Sequence, residues 1–280
     1  MLRRPLSALI AAVACMVAGV AVYAVAFGTA EGQRLDASAL LGFMGLRPQL
    51  ADIAHPLAHL GDPVPFAMLA AAVICLALAR GRPRLAVMSV VVLVGANVTT
   101  QFLKVLLAEP RPSELLPWNT ISAEAWPSGH TTAAMTLALC LVTVASPRLR
   151  PLAAAVGGVF TLSVVYSLLL LGWHYPSDVL GGFCVAGAWT LAGLAAVGAA
   201  DRRWPAGAGR EQAVRMGAAV GPAVLAAGGL IALAALMALA RPASALAYVD
   251  QHPAFVLGAA TIGAAALALA TALAVALRSD

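Results

Sequence analysis

Seven residues in a largely apolar chain have the types and spacing to handle a phosphate: Lys104, Arg111, Ser128, Gly129, His130, His174 and Asp178. The densest group lies in Ala125–Thr132, which reads AWPSGHTT at the mouth of an apolar segment. Pro127 and Ser128 suit the start of a helix, and Gly129 lets a bulky anion come close to the backbone. The free N–H groups of a helix start, with the Ser128 hydroxyl, make a cradle for an anion. His130 beside it can give or take a proton near neutral pH. Lys104 and Arg111 are cations suited to phosphate oxygens. His174 and Asp178 are four apart, so the carboxylate can fix the imidazole tautomer and balance the charge that develops if His174 attacks phosphorus. Taken singly, each group has a bland alternative: a capped helix for Ser128, a side chain snorkelling to the interface for Lys104, and helix-dipole compensation for Asp178.

The elements that must position these residues are membrane spans. The 280-residue chain is 62% hydrophobic and 10% charged, with a mean hydropathy of +0.92, whereas soluble domains carry roughly 25% charged residues. The net charge of +5 is no nucleic-acid footprint, because the arginines stand singly or in pairs between apolar runs. Cys15, Cys75, Cys140 and Cys184 lie inside apolar runs with no CxxC pair and read as small core residues, neither disulfides nor metal ligands.

In chain order, spans are expected at about Leu6–Phe27, Pro63–Ala79, Leu85–Leu107, Gly129–Ala145 and Leu152–Leu171, and then from the His174 loop to Ala199. The expected architecture is an all-α, polytopic membrane bundle. Residues 1–200 form a six-span core, with 28–62 an amphipathic segment on the membrane surface. Residues 201–215 form a cytoplasmic linker, and 216–280 a two-span extension of helices at about Met216–Ala240 and Ala254–Leu277. In the surface segment, His55 and His59 with Asp52 and Asp62 read as two interfacial histidines ahead of a metal site. On the third span, Asn97, Gln101 and Lys104 share one face, and polar groups at such depth mark a functional cavity.

With an even number of spans, both termini share one side of the membrane. Arg3, Arg4, Arg80, Arg82, Arg84, Arg148, Arg150, Arg202, Arg203, Arg210, Arg215 and Arg278 fall there, against Arg34, Arg47, Arg111 and Arg241 opposite. The arginine-rich side is expected to be cytoplasmic. The Arg111, Ser128–His130 and His174 loops then converge on the outer face.

Lys104-x6-Arg111-Pro112, Pro127-Ser128-Gly129-His130 and Ser167-x6-His174-x3-Asp178 together resemble the three-part signature of the type 2 phosphatidic acid phosphatase family, over about Gly61–Val197. The resemblance implies a six-helix membrane core and hydrolysis of lipid phosphate esters or polyprenyl pyrophosphates without metal or cofactor. It further implies His174 as the nucleophile that forms a phosphohistidine, Asp178 as its orienting carboxylate and His130 as general acid. Lys104, Arg111, Ser128 and Gly129 would hold the phosphate. The partners implied are a lipid phosphate and the bilayer.

One position departs from that signature. The family places an arginine after the serine of the third motif, and this chain has Leu168. Two other readings therefore stand beside a phosphatase: a phosphotransferase on the same scaffold, and a non-catalytic lipid-phosphate binding or transport protein. If the helix persists from Leu168 to His174, the two share a face, and Leu168→Arg is expected to raise activity.

Overall fold

A computed structural model describes residues 5–112, 115–116, 121–204 and 245–277. These residues form helices and the turns between them: α1 (Pro5–Gly28), α2 (Ala30–Met44), α3 (Arg47–Ala58), α4 (Pro63–Ala79), α5 (Pro83–Leu106), α6 (Gly129–Val144), α7 (Arg150–Leu171), α8 (Pro176–Arg203), α9 (Ala245–Gln251) and α10 (Pro253–Ala276). Proline stands in the first turn of α3, α4, α5, α7, α8 and α10. There its fixed φ favours the helix and its missing N–H is no loss. Helix α7 ends at Gly172, whose φ of 72° only glycine adopts without strain. The N–H groups of Gly172 and Trp173 turn back to the carbonyls of Leu169 and Leu168.

Five of these helices, of 22 to 28 residues, are long and apolar enough to cross a bilayer: α1, α5, α7, α8 and α10. Helix α3 and its terminal turn join α4 at a 57° bend, and the pair qualifies as a sixth, broken span. This is a multi-pass membrane protein. The expected linker beyond Trp204 and the span at Met216–Ala240 lie outside the described residues.

Helix α6 is shorter, at 16 residues, and is almost wholly enclosed by α4, α5, α7 and α8. Three of its four threonines suit that interior because they return their hydroxyls to the backbone: Thr132 to Ser128 (2.9 Å), Thr136 to Thr132 (2.7 Å) and Thr143 to Leu139 (2.8 Å). The outer helices instead present Val17, Val20, Val94, Val98, Leu152 and Val156 outward, as a lipid solvent requires.

Two regions differ from the sequence expectation. Residues 28–62 do not simply lie on the membrane surface. Helix α2 buries Asp36, Leu40 and Phe43, and α3 buries Leu50, Ala54 and Ala58 along α7. Their hydrophobic faces pack over the bundle end, which brings the polar residues of the segment to the candidate site. Helix α10, the described half of the expected extension, is no loose appendage. It packs on α2 and α8, with Phe255 edge-on to Phe43 at 4.7 Å between ring centroids. The Tyr166 hydroxyl donates to its Ala259 carbonyl at 3.4 Å.

Candidate active site

The second and third motifs meet through the backbone. The Ser128 N–H donates to the Asp178 carbonyl at 2.9 Å, tying the start of α6 to the first turn of α8. Glycine permits this approach: a Cβ at Gly182 would stand 2.9 Å from the Ser128 carbonyl oxygen, and one at Gly181 would stand 2.7 Å from the Trp126 ring. Ser128 is fully buried and caps α6, its Oγ accepting the Thr131 N–H at 3.3 Å. The first N–H groups of α6, from Gly129 and His130, have no acceptor inside the helix. A Cβ at Gly129 would lie 3.7 Å from Gln101 Nε2 and 4.0 Å from Lys104 Cε. The polar stripe of α5 therefore leans over this helix start.

His174 and Asp178 form a buried pair, with Nδ1 and Oδ2 at 3.3 Å and side-chain exposures of 9% and 0%. A proton on Nδ1 donated to the carboxylate leaves the Nε2 lone pair for other chemistry. Asp178 is held at both oxygens. The same Oδ2 accepts the Tyr175 N–H at 2.9 Å, and Oδ1 takes Arg111 Nη2 at 3.2 Å. The helix-capping role and the His174 contact are thus held by one carboxylate, and neither excludes the other.

Arg111 is engaged with protein groups. It is 7% exposed, with Nη1 3.1 Å from Asp36 Oδ2 and 3.0 Å from the Ala26 carbonyl oxygen, and Nη2 2.6 Å from Ser177 Oγ. Its guanidinium lies over the Phe27 and Tyr175 rings, 3.9 and 4.5 Å from their centroids. Asp36 is the partner that sequence reasoning missed. It also accepts the Ser177 N–H at 3.0 Å and the Ser177 hydroxyl at 2.5 Å. Burial pushes its carboxyl up to about 6, against the opposing pull of Arg111. Asp36 thus holds Nη1 of the guanidinium while Asp178 holds Nη2.

His130 is more open. Its Nε2 lies 2.9 Å from Asp62 Oδ1, and Asp62 Oδ2 lies 2.8 Å from His59 Nδ1. Hydrogen bonding to His130, then to His59, holds the Asp62 carboxyl below its ordinary value. The Trp173 ring sits among His55, His59 and His130, with centroids 6.0, 5.5 and 6.3 Å away. No group of three or more His, Cys, Asp or Glu with metal-binding geometry occurs among the described residues.

Leu168 is fully buried in the main apolar cluster. Because α7 stops at Gly172, no continuous helix carries its direction to His174. The gain expected from Leu168→Arg therefore loses its geometric ground. An arginine placed inside that cluster would need an anion to offset its desolvation.

Residues 85–202 match the family model described as PAP2 superfamily. Phosphatidylglycerophosphatase B of Escherichia coli (strain K12) and that of Shigella flexneri are each 37% identical over 78 residues, a stretch that spans 28% of this chain and 30% of theirs. The crystal structure of a transmembrane PAP2 type phosphatidylglycerolphosphate phosphatase from Bacillus subtilis shares the fold. Its TM-score is 0.57 at 22% identity, over 71% of this chain and 99% of the other. Motifs, family model and fold agree in what residues 85–202 of this chain resemble, the PAP2 superfamily.

Proposed function

We propose that this protein is a membrane phosphatase that removes phosphate from a lipid phosphate through a phosphohistidine on His174. The observation that carries the reading is the convergence of four features. These are the His174–Asp178 pair, the open N-terminus of α6, the Gln101 and Lys104 side chains leaning over it, and His130 with its own carboxylate. In the proposed reaction the Nε2 lone pair of His174 attacks phosphorus while the P–O bond to the lipid breaks. His130 gives its proton to the departing oxygen. Asp178 stabilises the developing imidazolium, and Lys104 with the Gly129 and His130 N–H groups stabilises the phosphoryl oxygens. Water then attacks the phosphohistidine with His130 as base, the P–N bond breaks and phosphate leaves. Arg111 serves by holding Asp178 in place and keeping it ionised. No step calls for a metal.

The names of the similar proteins make phosphatidylglycerophosphate the first substrate to try, with phosphatidic acid and a polyprenyl pyrophosphate beside it. The distribution of arginines supports a site at the outer leaflet with the termini in the cytoplasm. The test is phosphate release by purified protein in detergent across these lipids, with and without chelator. Release that ignores chelator is expected. Binding without release would favour the non-catalytic reading, which rests on the apolar Leu168 and on an Arg111 already held by two carboxylates. Product analysis with an added acceptor alcohol separates hydrolysis from phosphotransfer.

A further inference from the structure

We infer that the Gly61–Asp62 corner between the 3-10 turn His59–Gly61 and α4 is the positioning element for His130, with Asp62 holding and aiming that imidazole. The inference rests on the proposed role of His130 as general acid. It stands on two separate contacts. Asp62 Oδ1 lies 2.9 Å from His130 Nε2, while its other oxygen lies 2.8 Å from His59 Nδ1. Gly61 lies flat on the same ring: a Cβ there would stand 2.8, 3.0 and 3.2 Å from His130 Cδ2, Cβ and Cγ. The corner therefore seats one face of the imidazole and binds one of its nitrogens. Asp62 makes no side-chain cap to α4, so helix capping does not account for its orientation.

The proton inventory follows from the contact. With Nε2–H given to Asp62, the proton that reaches the leaving oxygen is the one on Nδ1, and the neutral ring then keeps its Nε2–H. The charges around His130 come from several elements. Asp62 and, through it, His59 belong to the corner, Lys104 to α5, and His174 to the loop before α8. Burial first, with His174 and Lys104 adding to it, holds the His130 imidazole below its ordinary value, and the hydrogen bond to Asp62 is the opposing pull. Asp62 is 39% exposed, so its electrostatic effect is that of a solvated pair.

The test uses the full-length protein in mixed micelles with two substrates. Phosphatidylglycerophosphate has an alkoxide leaving group that needs a proton, and p-nitrophenyl phosphate has one that departs without help. Asp62→Asn is expected to slow the lipid substrate roughly 3- to 30-fold, less than the ~10²–10⁴-fold for loss of the acid itself. It should leave kcat/KM for the nitrophenyl ester within about twofold, because kcat/KM reports phosphoenzyme formation and not the later water attack that both substrates share. The alkaline limb of kcat/KM should move to lower pH by roughly half a unit to one unit, because the imidazolium loses its counter-charge. Asp62→Glu should recover part of the loss. Gly61→Ala, which pushes the ring aside, should show the same selectivity for the poor leaving group. Equal losses on both substrates, or none, would overturn the positioning role, provided that His130→Ala still discriminates between them. If His130→Ala does not discriminate, the general-acid assignment itself falls, and this inference with it.

Discussion

The site contains the same chemical pair twice, a histidine against an aspartate, in opposite surroundings. His174–Asp178 is dry, at 9% and 0% side-chain exposure, and its carboxylate is held by Arg111 and the Tyr175 N–H as well. His130–Asp62 is wet, at 28% and 39%, and among the described residues its carboxylate is shared only with another histidine. The difference fits two tasks. A nucleophilic imidazole needs one fixed tautomer and a counter-charge that does not wander, which burial and a carboxylate held at both oxygens provide. A group that must pick up and release a proton in each turnover needs contact with water.

The largest effects should come from the dry pair. His174→Ala is expected to abolish turnover. Asp178→Asn, which keeps the shape but not the counter-charge, should cost about 10³–10⁴-fold in kcat. It should also lower thermal stability, because Arg111 loses a buried partner. If Asp178→Asn costs no more than Asp62→Asn, the contrast between dry and wet pairs is wrong. Next, His130→Ala should cost about 10²–10⁴-fold on a lipid ester, measured as kcat at saturating substrate.

A smaller effect sharpens the comparison from the far side of Arg111. The Asp36 carboxyl is raised to about 6 by burial. Between its ordinary value near 4 and about 6, the folded chain keeps a proton there that the unfolded chain has lost. The stability contributed by Asp36 is therefore complete at low pH and falls as pH rises through about 6. Asp62 runs the other way: its carboxyl is lowered, so its contribution is present above the ordinary carboxylate range and is lost as pH falls. Thermal unfolding of Asp36→Asn against the parent, from pH 4 to 7 in detergent, should show the variant gaining on the parent across that window. A constant difference would mean that Asp36 stays charged throughout. The smallest effect is expected for His59→Ala, which leaves Asp62 with His130 and should change kcat within about twofold.

Much of this was legible in the chain. The three motifs, the helix starts at proline and the polar face of α5 follow from residue type and spacing, because each depends on neighbours within a turn or two. Asp36 could not be found that way, nor could the contact of Asp62 with His130, although Asp62 stands out in the chain as a neighbour of His59. Asp36 bonds Ser177 across 141 residues, and Asp62 bonds His130 across 68. Such long-range contacts carry no sequence period. Both aspartates sit in a segment whose mixed composition reads as a surface helix, and only the packing of α2 and α3 onto the bundle turns them inward. The direction of Leu168 was lost for a local reason. Gly172 ends α7 with a left-handed residue, so helical counting from Leu168 to His174 does not hold.

The division of labour between the two pairs is tested most directly by rapid acid-free quench of a lipid phosphate labelled in its phosphoryl group. The three proteins to compare are the parent, His174→Ala and His130→Ala. Label on His174 is expected transiently in the parent and never in His174→Ala. In His130→Ala the label should form slowly and persist, because water attack has lost its base. Label carried by His174→Ala, or on His130 in any of the three, would contradict the assignment of nucleophile to the dry pair and proton carrier to the wet one.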